Sequence, residues 1–238
     1  MTGMEGAAGA NGTVSPASVP ASSGAALAMQ VAAGGQALPG KGAAIVAAAV
    51  ALFAEQGFDA TSVPQIAAAA KVGTGTIYRY FETKEALGNA AWQAAKRALA
   101  GALAPAFEAP PPTDAAPEVA AAAFRRCFLA FWRAAAGFAR DWPAAFRFLE
   151  FHDEPRFLDR QSLRLSEQVM APIHGWIAEG QARGVLAPAG AEVMAALVWG
   201  ALGGLVRHAE AMRSGLGPEL LATTGEALWR AVAVPRVA

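Results

Sequence analysis

The amino-acid sequence predicts an all-α protein of about nine helices. Three observations lead there. From Lys41 onward, apolar residues recur at the i, i+3, i+4 spacing of amphipathic helices, no stretch alternates as a strand would, and the segments between are marked by capping residues, glycine and proline. With 238 residues and 55% hydrophobic content, the chain can bury a real core, which excludes disorder throughout. Its longest uncharged apolar runs, Ala43 to Ala54 and Val193 to Val206, fall short of the ~20 residues a helix needs to cross a bilayer, so they read as buried helices and no membrane is expected. The single cysteine, Cys127, cannot form an internal disulfide, and its spacing from Phe124, Phe128 and Phe131 marks it as a small buried hydrophobe. A cytoplasmic location is expected from this and from an opening stretch without a basic region or an apolar core.

The elements follow in order. Residues 1–38 are rich in Gly, Ala, Ser and Pro without sustained periodicity and are expected to form a disordered low-complexity tail. Ile45, Ala48, Ala49, Leu52 and Phe53 form the stripe of a first helix that starts near Lys41 and ends at Gly57. Ser62, Pro64 and Gln65 carry the marks of a capping box with proline in the first turn, opening a second helix that runs to about Ala70. A short third helix spans Thr74 to about Tyr80. Thr83 caps a fourth, from Lys84 to about Phe107, which the proline-rich stretch beyond it breaks. The fifth, Glu118 to Phe138, shows the stripe Phe124, Cys127, Phe128, Phe131, Trp132 and Ala135. Asp141 is expected to cap a sixth. Further helices span about Leu158 to Ala182 and about Ala189 to Met212, and Pro218 opens the last.

Two short helices joined by a tight turn, with an amphipathic helix before and a long one after, make a three-helix DNA-binding arrangement. Gly75 between Thr74 and Thr76 leaves room for close approach to a duplex, while both hydroxyls, the phenols of Tyr78 and Tyr80 and the charge of Arg79 remain to reach phosphates or bases. Thr83 and Lys84 begin a new helix whose free N–H groups, dipole and ammonium group suit a phosphate oxygen. Each residue also has a plainer reading, the threonines as caps and the tyrosines as half-buried core aromatics. Charge does not decide between them. The chain carries 19 Lys/Arg against 19 Asp/Glu, and residues 41–100 carry six against four.

The order of motifs in "IVAAAVALFAEQGFDATSVPQIAAAAKVGTGTIYRYFETKEAL" resembles the N-terminal domain of the TetR family of transcriptional regulators over roughly Pro39 to Leu99. The resemblance covers the Ile45 to Phe53 stripe, Gly57 and Phe58, Thr61 and Ser62, Ile66 and Ala67, and "GTIYRYFETKEAL" in register. It implies a helix-turn-helix domain over residues 39–99 and a helical ligand-binding and dimerisation domain over 100–238. It also implies a homodimer that places its third helices in the major groove. By match of position Ser62, Thr74, Thr76, Tyr78, Tyr80 and Lys84 look like DNA contacts. Lys71 stands where the family usually has the turn glycine, and Gly73 where it usually has a capping hydroxyl. With only Lys41 basic before Ile45, a shallow salt dependence is expected.

In the C-terminal half, "DWPAAFRFLEFH" sets Trp142, Phe146 and Leu149 on one helix face and Phe148, Phe151 and His152 on another, as a helix serving both a core and a cavity would. An apolar ligand pocket is accordingly expected around Phe128, Phe131, Trp132, Phe148, Phe151, His152 and Trp176, with ordinary core packing as the plainer reading of each. His152, His174 and His208 lie too far apart for a local metal motif, and no catalytic constellation or cofactor motif is present. Gly200, Gly203 and Gly204 weaken the eighth helix unless close packing compensates, and by resemblance the last two helices form the dimer interface. The reading is of a non-enzymatic transcriptional regulator, a ligand-responsive homodimeric repressor on a palindromic DNA operator. The alternative is a small-molecule- or partner-binding helical module whose DNA-reading surface has decayed.

Overall fold

The computed structural model describes residues 40–108, 115–150 and 156–235. The tail expected over residues 1–38, and Phe151 and His152 of the expected pocket, lie outside them. Among the described residues there are nine α-helices: α1 Gly40–Gln56, α2 Val63–Ala69, α3 Thr74–Tyr80, α4 Lys84–Leu103, α5 Pro117–Asp141, α6 Pro143–Glu150, α7 Arg160–Ala182, α8 Ala191–Ala211 and α9 Pro218–Val232. A short 3-10 turn, Ala104–Phe107, extends α4. The extended backbone contributes only an isolated antiparallel bridge from Leu186 to Ala233, which ties the end of α9 to the loop after α7. No described helix is long and apolar enough to cross a membrane.

The first four helices form around α1. Ile45, Val46, Ala49, Val50 and Phe53 are completely buried, whereas Ala48 and Leu52 of the expected stripe are only half-buried: the covered face is turned toward Val46 and Val50, because α2, α4 and α6 all pack on α1. Gly57 ends the helix at φ 82°, and its N–H bonds the Phe53 carbonyl at 3.0 Å. Thr61, 1% exposed, donates its hydroxyl to the Gly57 carbonyl at 2.7 Å and so fixes the approach to α2.

The helix α6 departs from expectation at its start. Asp141 does not cap it. This residue is the last of α5, and Arg140 donates to its carboxylate at 2.7 Å, holding it below the usual carboxylate range. Phe146 and Phe148 are both buried, and Phe148 packs on Phe53 of α1 with ring centroids 5.6 Å apart. Of the two faces expected for this helix, Phe146 represents one and Phe148 the other, and Phe148 faces the N-terminal helices. The helix α6 is the wedge that joins the two halves.

The helix α4 runs through the boundary expected between residues 99 and 100, so both halves share it. Its buried polar residues dock the start of α7. The Asn89 amide donates to the Phe157 carbonyl at 2.7 Å and to the Glu85 carbonyl at 3.0 Å. Its oxygen accepts from the Asp159 N–H at 2.9 Å and the Ser162 hydroxyl at 2.6 Å. Gln93 adds a bond to the Ser162 oxygen at 3.0 Å. Beside this cluster the rings of Phe58 and Phe157 stack at 4.1 Å. Gly88 passes beneath them so closely that a Cβ would lie 2.8 Å from one ring and 2.9 Å from the other.

Candidate nucleic-acid interface and effector cleft

The helix-turn-helix is built by local hydrogen bonds that the sequence specifies. Ser62 caps α2 with its oxygen accepting from the Gln65 N–H at 3.4 Å, and Gln65 returns the bond by accepting from the Ser62 N–H at 2.7 Å. The predicted capping box is present, so the Ser62 hydroxyl is committed inside the subunit. The turn then closes with two bonds, Lys71 N–H to Ala68 C=O at 3.1 Å and Val72 N–H to Ala67 C=O at 3.0 Å. This is a Schellman closure, whose first residue past the cap adopts the left-handed conformation. Lys71 occupies that position at φ 54°, where a side chain costs about 1 kcal/mol that glycine does not. Both bonds survive the substitution. Lys71 strains the turn without opening it.

Gly73 caps α3 through its backbone alone, accepting the Thr76 N–H at 2.8 Å. The helix shows one buried residue, Ile77, to the core. Phe81 is buried just past its end. Tyr78 is 52% exposed and Arg79 is exposed, its guanidinium 5.9 Å from the Tyr80 ring. Thr74, Thr76, Tyr78 and Tyr80 make no side-chain hydrogen bond to any described residue. Gly75 faces open space: a Cβ there would meet nothing within 4 Å. No described residue requires glycine at a position where it costs a helix up to about 1 kcal/mol relative to alanine.

At the start of α4, Thr83 caps through its hydroxyl oxygen, which accepts from the Ala86 N–H at 3.1 Å. The Lys84 ammonium donates to the Asp59 carbonyl at 3.3 Å and lies 4.4 Å from the Phe58 ring centroid. Of the nine residues expected at this surface, Ser62, Thr83 and Lys84 thus also hold the domain together. Tyr80 is half-buried and packs against the core and Phe81, while Thr74, Gly75, Thr76, Tyr78 and Arg79 have no comparable duty among the described residues.

A narrow apolar cleft lies between α5, α7 and α8, with about 480 Å3 free of protein atoms when the open solvent at its mouth is included. Phe128, Phe131 and Trp176, three of the residues expected to line a pocket, come together there. They are joined by Cys127, Ile173, Ile177, Met194, Val198 and Trp199, by Phe107 from the 3-10 turn and by Val232 from α9. The Cys127 thiol donates to the Ala106 carbonyl at 3.0 Å, and burial pushes it up to about 11. Trp132 and Phe148 are not on this wall. The Trp132 indole donates to the Leu221 carbonyl at 2.9 Å and its ring lies against Gly225, so it locks α5 to α9, while Phe148 faces α1. Sequence reasoning missed the α8 contribution. Met194 and Val198 sit one turn apart in the uniformly apolar run from Val193 to Val206, which offers no contrast to show which face looks at a cleft.

The model of the tetR family of bacterial regulatory proteins matches residues 45–91, and the tetracyclin repressor-like C-terminal domain model matches residues 115–234. A stretch of 41 residues is 54% identical to the HTH-type transcriptional regulator HbdR of Aromatoleum sp. (strain CIB), covering 17% of this chain and 18% of that protein. Among solved structures, a TetR family transcription regulator from Marinobacter aquaeolei VT8 shares 23% identity at a TM-score of 0.67, over 82% of this chain and 96% of its own. A protein of Shewanella sp. PV-4 assigned to the same family shares 25% identity at a TM-score of 0.63, over 82% and 99% respectively.

Proposed function

We propose that this chain, which belongs to the tetR family of bacterial regulatory proteins, is a homodimeric repressor that holds a palindromic operator and releases it when a small apolar molecule enters the cleft. The observation that carries the reading is the outward face of α3. There Thr74, Thr76 and Tyr78 present polar groups with no partner among the described residues, around a glycine whose missing side chain would meet none of them. Such a face suits a phosphate backbone and base edges at close range, with backbone approach taking the place of a basic patch.

Dimerisation is supported by an uncovered stripe on α8. Val193 and Leu197, 64% and 46% exposed, continue into Gly200 and Gly204, where a Cβ would meet nothing within 4 Å. Small residues that cost helix stability, and whose missing side chains would meet no described residue, are explained by close packing against a second copy. A rigid dimer then offers two third helices spaced for successive major grooves, ~34 Å apart, and the second contact becomes intramolecular.

Release follows from the shared helices. Ile173, Trp176 and Ile177 put α7 on the cleft, and Asn89 with Gln93 pins the other end of α7 to α4, the helix that carries Thr83 and Lys84. A molecule that fits better when α7 is displaced therefore biases α4 and the spacing of the two DNA-reading helices. Operator affinity falls by the ratio of its affinities for the two arrangements. Footprinting on the DNA upstream of its own gene tests the reading. A protected palindrome is expected, with protection lost in Thr76→Ala and Tyr78→Ala variants that keep their helical circular dichroism. Undiminished protection in both would sink it.

A further inference from the structure

The cleft wall names the kind of molecule it takes. All of its lining side chains are hydrocarbon, aromatic or sulfur-bearing, and none is charged. Its polar hydrogens are few. The Cys127 S–H is already committed to the Ala106 carbonyl. The Trp176 indole N–H is shut off from solvent and has no acceptor among the described residues. A buried donor left unpaired is a cost the folded chain carries, and an incoming acceptor removes it.

A second groove adjoins the cleft. A groove between the end of α4 and α7 shares Phe107 and Ile173 with the inner cleft, so those two side chains form the partition between them. The one charged residue on that groove is Glu108. No lysine or arginine lines either space. A carboxylate, phosphate or sulfonate buried in the cleft would shed its water with no cation in the lining to receive it, which strongly disfavours its burial.

We infer that the effector is an uncharged apolar molecule carrying a hydrogen-bond acceptor, such as a ketone or ester carbonyl, and that Trp176 donates its indole N–H to that acceptor. This rests on the reading of the cleft as the effector site. Trp176 is then a specificity residue: its ring belongs to the apolar wall for any hydrocarbon, while its N–H favours the molecule with an acceptor. The assignment sits on α7, whose far end is tied to α4, so the same bond lies on the element proposed to carry the signal.

The test uses the full chain and three probes of matched length: methyl decanoate, decanoate and decane. Each competes against Nile red bound to the protein, read by fluorescence. Methyl decanoate is expected to compete at least tenfold better than decanoate. Replacing the indole by a ring without a donor, Trp176→Phe, is expected to weaken methyl decanoate about fivefold, the size of one hydrogen bond to a neutral acceptor, and to leave decane unchanged. Decanoate competing as well as the ester overturns the inference, as does an equal loss for ester and alkane in Trp176→Phe, or no competition by any probe. Retention of an operator duplex, measured on the same preparations, keeps the two proposals apart. Duplex held with no probe competing removes the effector class alone, and ester competing with no duplex held removes the regulator reading alone.

Discussion

The outer face of α3 and the buried cluster where α4 meets α7 are both polar, and they treat their polar groups in opposite ways. Around Asn89 every donor and acceptor has a partner: the amide bonds two carbonyls, its oxygen takes an N–H and a hydroxyl, and Gln93 completes the Ser162 oxygen. On α3 the hydroxyls of Thr74, Thr76 and Tyr78 bond nothing among the described residues. A satisfied buried network spends its bonding capacity on the fold, so its residues answer to stability. An unsatisfied exposed set spends none, and its residues answer to a partner.

Mutations can break or sharpen that contrast. The largest effect is expected from Asn89→Ala, which strands the Phe157 carbonyl and the Asp159 N–H and takes a partner from Ser162. Urea unfolding should show a loss of about 3 kcal/mol. Next comes Thr76→Ala combined with Tyr78→Ala, expected to weaken operator binding about 100-fold by fluorescence anisotropy while the unfolding free energy moves by less than about 0.5 kcal/mol. Gly75→Ala separates the two roles within one residue. The fold should gain about 1 kcal/mol, since the added methyl meets open space, while operator affinity falls as the methyl meets the duplex. Lys71→Gly should also stabilise by about 1 kcal/mol, by relieving the strain at φ 54°, and should lower the salt slope of operator binding by no more than about one.

The smallest effect concerns Cys127. Its folded-state pKa, about 11, is raised above the ordinary thiol value of 9.0. Burial therefore favours the protonated form. The contribution of this group to stability is fully present below the unfolded value and is lost as pH rises through the folded one. Alkylation by iodoacetamide at pH 8 should be far slower in the folded chain than in urea, and a molecule that opens the cleft should speed it.

What could be read from residues alone divides by sequence distance. The caps at Ser62 and Thr83 act on N–H groups three positions away, so the residues that make them lie side by side in the sequence and were legible. The bonds of Asn89 to Phe157, Asp159 and Ser162 span 68 to 73 residues, and no local pattern announces them. Aromatic residues on α5 and α6 were correctly read as buried, yet periodicity says only that a face is covered, not by what. Hence Trp132 turned out to lock α9 and Phe148 to meet α1, while Phe128 and Phe131 reached the cleft.

By itself the sequence determined the all-α class, the order of the helices, the capped turn that presents α3 and the family to which the chain belongs. Each of these depends on interactions within a few residues or on a local run of matched positions. Only the tertiary structure decided which aromatics bound the cleft, which polar residues weld α7 to α4, and that a side chain at Gly75 would meet no described residue. Those outcomes depend on surfaces brought together across the whole length of the chain, where packing and the satisfaction of buried hydrogen bonds choose the partners.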